Sequence, residues 1–124
     1  MELKDIELGK FAPVAFYDPN MDCIRVFTKD RSVTERRLNE FLTVHECNHR
    51  EIGDPADVGF TLKGIHHLYH EAGLDLSQVY RLTEIIDGIV KSNPDVSAAQ
   101  VLRVVFESYR DAVGDIEVSV LEAA

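Results

Sequence analysis

The chain has 124 residues, 45% hydrophobic and 28% charged, enough for one domain with its own core and no need of metal or disulfide support. Its 22 acidic against 13 basic side chains leave a formal charge of −9; such a surface repels phosphate backbones, so nucleic acid is not an expected partner. No run nears the ~20 apolar residues of a membrane-spanning helix, and the opening MELKDIELGK is too charged for a secretory signal.

A single cytoplasmic domain over residues 1–124, with no membrane association, is the expectation. Cys23 and Cys47 are then expected as free thiols filling apolar space. The acids are spread along the chain, which reads as solubility; a partner with a basic face is the sharper alternative.

Residues 1–10 are polar without a firm period. Phe11 to Tyr17 is rich in strand formers, with Pro13 suggesting an edge. Asp18-Pro19-Asn20-Met21-Asp22 reads as a turn, and Cys23 to Lys29 as the second arm of a hairpin. Asp30 to Glu40 has two readings. Ser32 with Glu35 fits a capping box and would start a helix; the alternative is an irregular, partly extended connection. Phe41 to Cys47, a polar turn over 48–57, and Val58 to Lys63 follow. Val58, Phe60 and Leu62 alternate with Gly59, Thr61 and Lys63, the pattern of a strand with one buried face.

After Gly64 the period lengthens toward 3.6. Ile65 to Ala72 is expected as a short helix stopped by Gly73. Leu82, Ile85, Ile86, Ile89 and Val90 mark a helix over Leu82–Ser92, with Ser77 or Thr83 near its start and Asn93-Pro94 ending it. Ser97 is expected to cap a last helix running to Val113, with Val101, Leu102, Val105, Phe106, Tyr109 and Val113 as its stripe. Ile116, Val118 and Val120 alternate and could add a short strand. Strands first and helices afterwards predict an α+β fold: an N-terminal antiparallel β-meander of three to four strands with about three helices packed on it.

Chemistry has two candidate locations. His45-Glu46-Cys47-Asn48-His49 is a literal H-E-x-x-H. On a helix, His45 and His49 would share one face and hold zinc, with Glu46 as base on the metal-bound water. Glu71, in Glu71-Ala-Gly-Leu-Asp75, resembles the Glu-x-x-x-Asp that follows this motif in one branch of zinc peptidases and would be a third ligand. On a strand, the two imidazoles stand ~13 Å apart and cannot share an ion with ~2 Å bonds. Phe41, Thr43 and Val44 favour the strand, as does the charged pair Arg50-Glu51 after the second His. Cys47 beside His45 or His49 could imitate a thiol–imidazole pair, but no third orienting group is evident.

The second location is Ile65-His-His-Leu-Tyr-His-Glu71. His66 and His70 lie one helical turn apart and could chelate a metal, or the cluster could be an exposed face carrying several imidazoles. No Gly-rich phosphate loop and no G-x-S-x-G occurs.

Tyr17-Asp-Pro-Asn-Met-Asp-Cys-Ile-Arg-Val26 resembles the opening of a family of short bacterial β-meander proteins of unknown function. Val58-Gly59-Phe60-Thr61-Leu62-Lys63 is similar to their closing strand. The likeness covers about residues 11–64; it implies strands through 41–63 and carries over no activity, cofactor or site residue. The leading expectation is therefore a non-catalytic interaction or regulatory module, with a minimal zinc metallopeptidase as the alternative. Its partner would be a second copy, through the apolar stripes of helices 82–92 and 97–113, or a basic protein. The same stripes could instead fill the monomer core.

Overall fold

The computed structural model describes residues 12–48, 56–93 and 96–120. Strands β1 (Val14–Asp18) and β2 (Cys23–Phe27) form the expected antiparallel hairpin. The Asp18 carboxylate accepts the N–H groups of Asn20 and Met21 at 2.9 and 3.3 Å, the local bonding that makes Asp a turn former. Asp22 closes the turn in the left-handed region, φ 51°.

The segment after the hairpin is a strand, β3 (Val33–Arg37), antiparallel to β4 (Leu42–Cys47), which pairs in turn with β5 (Asp57–Lys63). The helix start read at Ser32 and Glu35 does not form. Asn48 takes both polar groups at that point: its N–H donates to the Ser32 carbonyl at 2.9 Å, and its side-chain amide to the Ser32 hydroxyl at 3.0 Å. Thr34 donates to the same side chain. β3 lies at the edge of the sheet, and Thr34 to Arg37 are exposed, a charged border of the kind that discourages pairing with other chains.

The strand order is β3-β4-β5-β2-β1-β6, so the sheet departs from a plain meander. β2 pairs with β5 and not with β3, because Ile24 and Val26 stand opposite Leu62 and Phe60 and bury four apolar side chains in one row. β6 (Ser119–Val120) runs parallel to β1 at the other edge and makes the sheet mixed.

The helices are α1 (Ile65–Ala72), α2 (Leu82–Ser92), α3 (Ser97–Glu107) and α4 (Arg110–Val113). Gly73 ends α1 at φ 70°, a conformation that favours glycine. α2 starts from Arg81, whose N–H donates to the Glu84 carboxylate at 3.0 Å, and neither Ser77 nor Thr83 is its cap. Ser97 is the first helical residue rather than a cap; Val96 holds the cap position without a side-chain bond. The expected single helix to Val113 breaks at Ser108 and Tyr109.

Tyr109 shows why. The β4–β5 register slips between Val44 and Glu46, so Val58 and Gly59 together face His45, a β-bulge. Gly59 adopts φ 147°, and a Cβ there would collide with the Val26 carbonyl oxygen. The Tyr109 hydroxyl reaches this point, accepting the Gly59 N–H at 3.3 Å and donating to its carbonyl at 3.4 Å. One hydroxyl thus serves both backbone groups of the bulge residue.

One face of the sheet carries Ala15, Ile24, Val26, Leu42, Val44, Phe60 and Leu62 against the helices. The α2 stripe, Leu82, Ile85, Ile86 and Ile89, is wholly inside this core, as are Ala99, Leu102 and Phe106 of α3. α2 therefore has little apolar surface left for another chain, whereas Val101 and Val104 of α3 are 39% and 67% exposed. Cys23 and Cys47 are buried free thiols. Among the described residues no helix is long and apolar enough to cross a membrane.

Candidate functional site

The H-E-x-x-H segment is extended through Cys47 as part of β4; His49 lies outside the described residues. Successive strand side chains alternate faces, and His45 points away from the helices. Its ring is 0% exposed, stacks on Phe27 with centroids 4.5 Å apart, and its Nε2 is 2.7 Å from the Thr61 hydroxyl. Nδ1 has no hydrogen-bond partner among the described residues, with the Val26 backbone close to the ring.

Above the ring, Arg25 of β2 and Glu35 of β3 meet at 3.0 Å. Two strands lie between them, ~14 Å of flat sheet, so both long side chains reach in over His45 from either side. Burial, reinforced by the Arg25 charge, pushes the His45 pKa down to about 4, against the smaller opposing pull of Glu35. A neutral imidazole packed this way is a core residue.

Glu46 pairs with Arg36 at 3.2 Å, and Glu71 sits on α1, in the helical layer on the opposite side of the sheet from His45. The proposed zinc set of His45 and Glu71 with Glu46 as base therefore does not assemble in this geometry. Sheet periodicity separates the residues that a helix would have gathered.

In the second cluster, His66 is committed to the hairpin. Its Nδ1 lies 2.6 Å from Asp22 Oδ1, and the Tyr17 hydroxyl donates to the same oxygen at 3.1 Å. Burial and then Asp22 push the Tyr17 hydroxyl up to about 12. Asp22 also caps α1 from outside the helix. Its side chain accepts the His66 N–H at 3.1 Å, and its carbonyl accepts those of Gly64 and Ile65 at 3.0 and 3.2 Å. These are the amides that a helix start leaves without partners, and Gly64 has no side chain to serve them. His70 borders an open hollow with His66, Gly73 and Asp75. Among the described residues no three His, Cys, Asp or Glu side chains group so as to hold a metal ion.

One opening on the helical layer is a cleft of about 210 Å³ between the β3–β4 turn and α1, α2 and α3. Its floor is Phe41, Leu68, Ile89 and Ala99, and Glu40, His67 and Glu71 stand around it. Asn39 fixes the turn by accepting the N–H groups of Phe41 and Leu42, both at 3.0 Å. The Phe41 carbonyl accepts the Lys63 N–H at 2.8 Å, which anchors Phe41 to β5. Glu71 lies 3.6 Å from His67; no cation of the chain pairs with Glu40 among the described residues.

The cleft continues as a shallower groove along Glu40, Phe41, His67 and Leu68 to Lys63 and Gly64. Of these residues the sequence had flagged Glu71 as a ligand and His67 only as a member of the imidazole cluster. Phe41, Leu68, Ile89 and Ala99 read as ordinary apolar positions; they become a site only because four separate elements leave a gap where they meet. Compared with known proteins, the chain matches no family model, no curated protein and no solved structure, and the likeness of residues 11–64 to short β-meander proteins stays a resemblance of local pattern.

Proposed function

We propose that this chain is a non-catalytic interaction module of the cytoplasm that takes a segment of a partner protein into the cleft at Phe41, Leu68, Ile89 and Ala99. The observation that carries this reading is the cleft left where the β3–β4 turn meets three helices, lined by apolar Phe41, Leu68, Ile89 and Ala99 with Glu40, His67 and Glu71 around it. Pockets with an apolar lining and a few placed polar groups are the usual form of a binding site.

The conspicuous side chains elsewhere have structural employment that supports the same reading. His45 is sealed beneath the Arg25–Glu35 pair, Glu46 is held by Arg36, and His66 is held by Asp22. The buried free thiols fit a reducing compartment. The exposed Val101 and Val104 favour self-association through α3 as a second reading.

The test is a pool of random octapeptides selected on the immobilised protein, followed by amide chemical-shift mapping of the recovered peptides. Shifts are expected at Leu68, Glu71, Ile89 and Ala99. Shifts confined to β3, or to the outer face of α3, would reject the cleft as the docking site.

A further inference from the structure

α1 carries a pair of imidazoles that the fold does not use up. His66 and His70 stand four residues apart on this helix, and both line the open hollow that also includes Gly73 and Asp75. Helix residues at that spacing are neighbours, with ~5–6 Å between their Cβ atoms. From there two imidazoles can close on one ion with bonds of ~2.0–2.1 Å.

His66 is set for such a role by its surroundings. Asp22 Oδ1 lies 2.6 Å from Nδ1 and also accepts the Tyr17 hydroxyl at 3.1 Å. A carboxylate only accepts, so the ring proton sits on Nδ1 and Nε2 presents a lone pair. The bonds of His66 run through Nδ1 and its own N–H, and Nε2 takes none among the described residues. A carboxylate behind one ring nitrogen fixes the orientation of a metal-bound imidazole and raises its basicity at the other. His70 is exposed, and its side chain has no hydrogen bond or ion pair among the described residues.

Asp75 is held at the same hollow by the Ser77 N–H and hydroxyl, at 2.8 and 2.7 Å. It adds negative charge and not a third ligand, since no three His, Cys, Asp or Glu side chains among the described residues group around an ion. Water would fill the remaining positions. The formal charge of −9 raises the local concentration of cations. Nitrogen ligands select zinc, copper or nickel over calcium and magnesium, which take oxygen.

We propose that His66 and His70 form a binding site for a divalent transition-metal ion, with Asp22 as the positioning residue behind His66. The docking cleft uses another side of α1, through His67, Leu68 and Glu71, so the two readings stand independently. Asp22 belongs to the β1–β2 turn, and an ion held here ties α1 to the hairpin.

The experiment titrates the chelator-treated full chain with zinc chloride and with copper(II) chloride by calorimetry. Amide signals are followed in parallel, since copper(II) broadens those near it. One ion per chain is expected, with broadening centred on His66, His70 and Gly73. His66→Gln and His70→Gln should each weaken binding at least tenfold, because the second nitrogen then no longer acts at high effective concentration. His70→Gln is an exposed change that spares the capping bonds. Asp22→Asn keeps an oxygen for Nδ1 and removes the charge, and should weaken binding roughly tenfold. His67→Gln should leave affinity unchanged. Zinc at saturation should slow hydrogen exchange at the His66 amide.

Absence of saturable binding, or undiminished affinity in His70→Gln, would overturn the site. Broadening spread evenly over other histidines would also overturn it, as an adventitious ion only. Full affinity in Asp22→Asn would overturn the role given to Asp22 and leave the imidazole pair standing.

Discussion

Acid should weaken this protein through one buried ring. His45 has an unfolded-state pKa of 6.5 and a folded pKa near 4, because its ring is sealed between Phe27, Thr61 and the Arg25–Glu35 pair. Between those two values the unfolded chain binds a proton at this position and the folded chain does not. Stability from this group is therefore complete above about pH 6.5, falls as pH drops toward 4, and changes little below that. At about 1.4 kcal/mol per unit, the shift is worth roughly 3 kcal/mol, a large share of the 5–15 kcal/mol typical of a domain.

The perturbation is His45→Gln, which keeps a hydrogen-bonding group near Thr61 and removes the titration. Urea unfolding followed by far-ultraviolet circular dichroism at pH 7.5, 6, 5 and 4.2 gives both stabilities on one scale. The variant should be less stable at pH 7.5 and should lose its disadvantage as pH falls, the difference shrinking by about 3 kcal/mol. Groups common to both proteins cancel in that difference. A difference that stays flat between pH 7.5 and 4.2 would refute the buried, neutral imidazole.

Tyr109→Phe should cost about 1–3 kcal/mol in the same unfolding assay, because the Gly59 N–H and carbonyl lose the hydroxyl that serves them both; a change below a few tenths would mean water replaces it. Asp22→Ala should cost about 1–2 kcal/mol and speed hydrogen exchange at the His66 amide, whose acceptor is the Asp22 carboxylate; faster exchange spread evenly over the protein would contradict a local capping role. Val104→Glu should leave stability within about 0.5 kcal/mol and, if α3 is a self-association surface, shift sedimentation toward the monomer. A wild-type chain that sediments as a 14.0 kDa species at high concentration would remove that reading.

Much of the helical half was legible from local chemistry. The 3.6-residue stripe of Leu82, Ile85, Ile86 and Ile89 and the stops at Gly73 and Asn93 are local signals, and α1 and α2 fall where they indicate. β5 was legible from its alternation and the hairpin from its turn. β3 was not, because Val33–Arg37 is polar at nearly every position and its strand state is imposed by β4 and Asn48. The β2–β5 pairing was hidden for a related reason: which two strands share a ladder depends on where both bury their apolar faces, a long-range choice. The break in the last helix follows from the bulge at Gly59, which draws Tyr109 inward, and nothing near Ser108 announces it. For the site, the sequence pointed to histidines; of these, His45 is packed in the sheet and His66 is held at the start of α1 by Asp22. The cleft escaped notice because a gap between elements has no motif.

The parallel pairing of β6 with β1 has a consequence for biosynthesis. Phe16 and Tyr17 wait for Ser119 and Val120, so the β1 border of the hairpin stays bare while about a hundred further residues are made. At 5–20 residues per second that interval is roughly 5–20 s, far longer than a hairpin needs to form. Through that interval the hairpin carries an unfinished edge, and β6 is the strand that shields it once made.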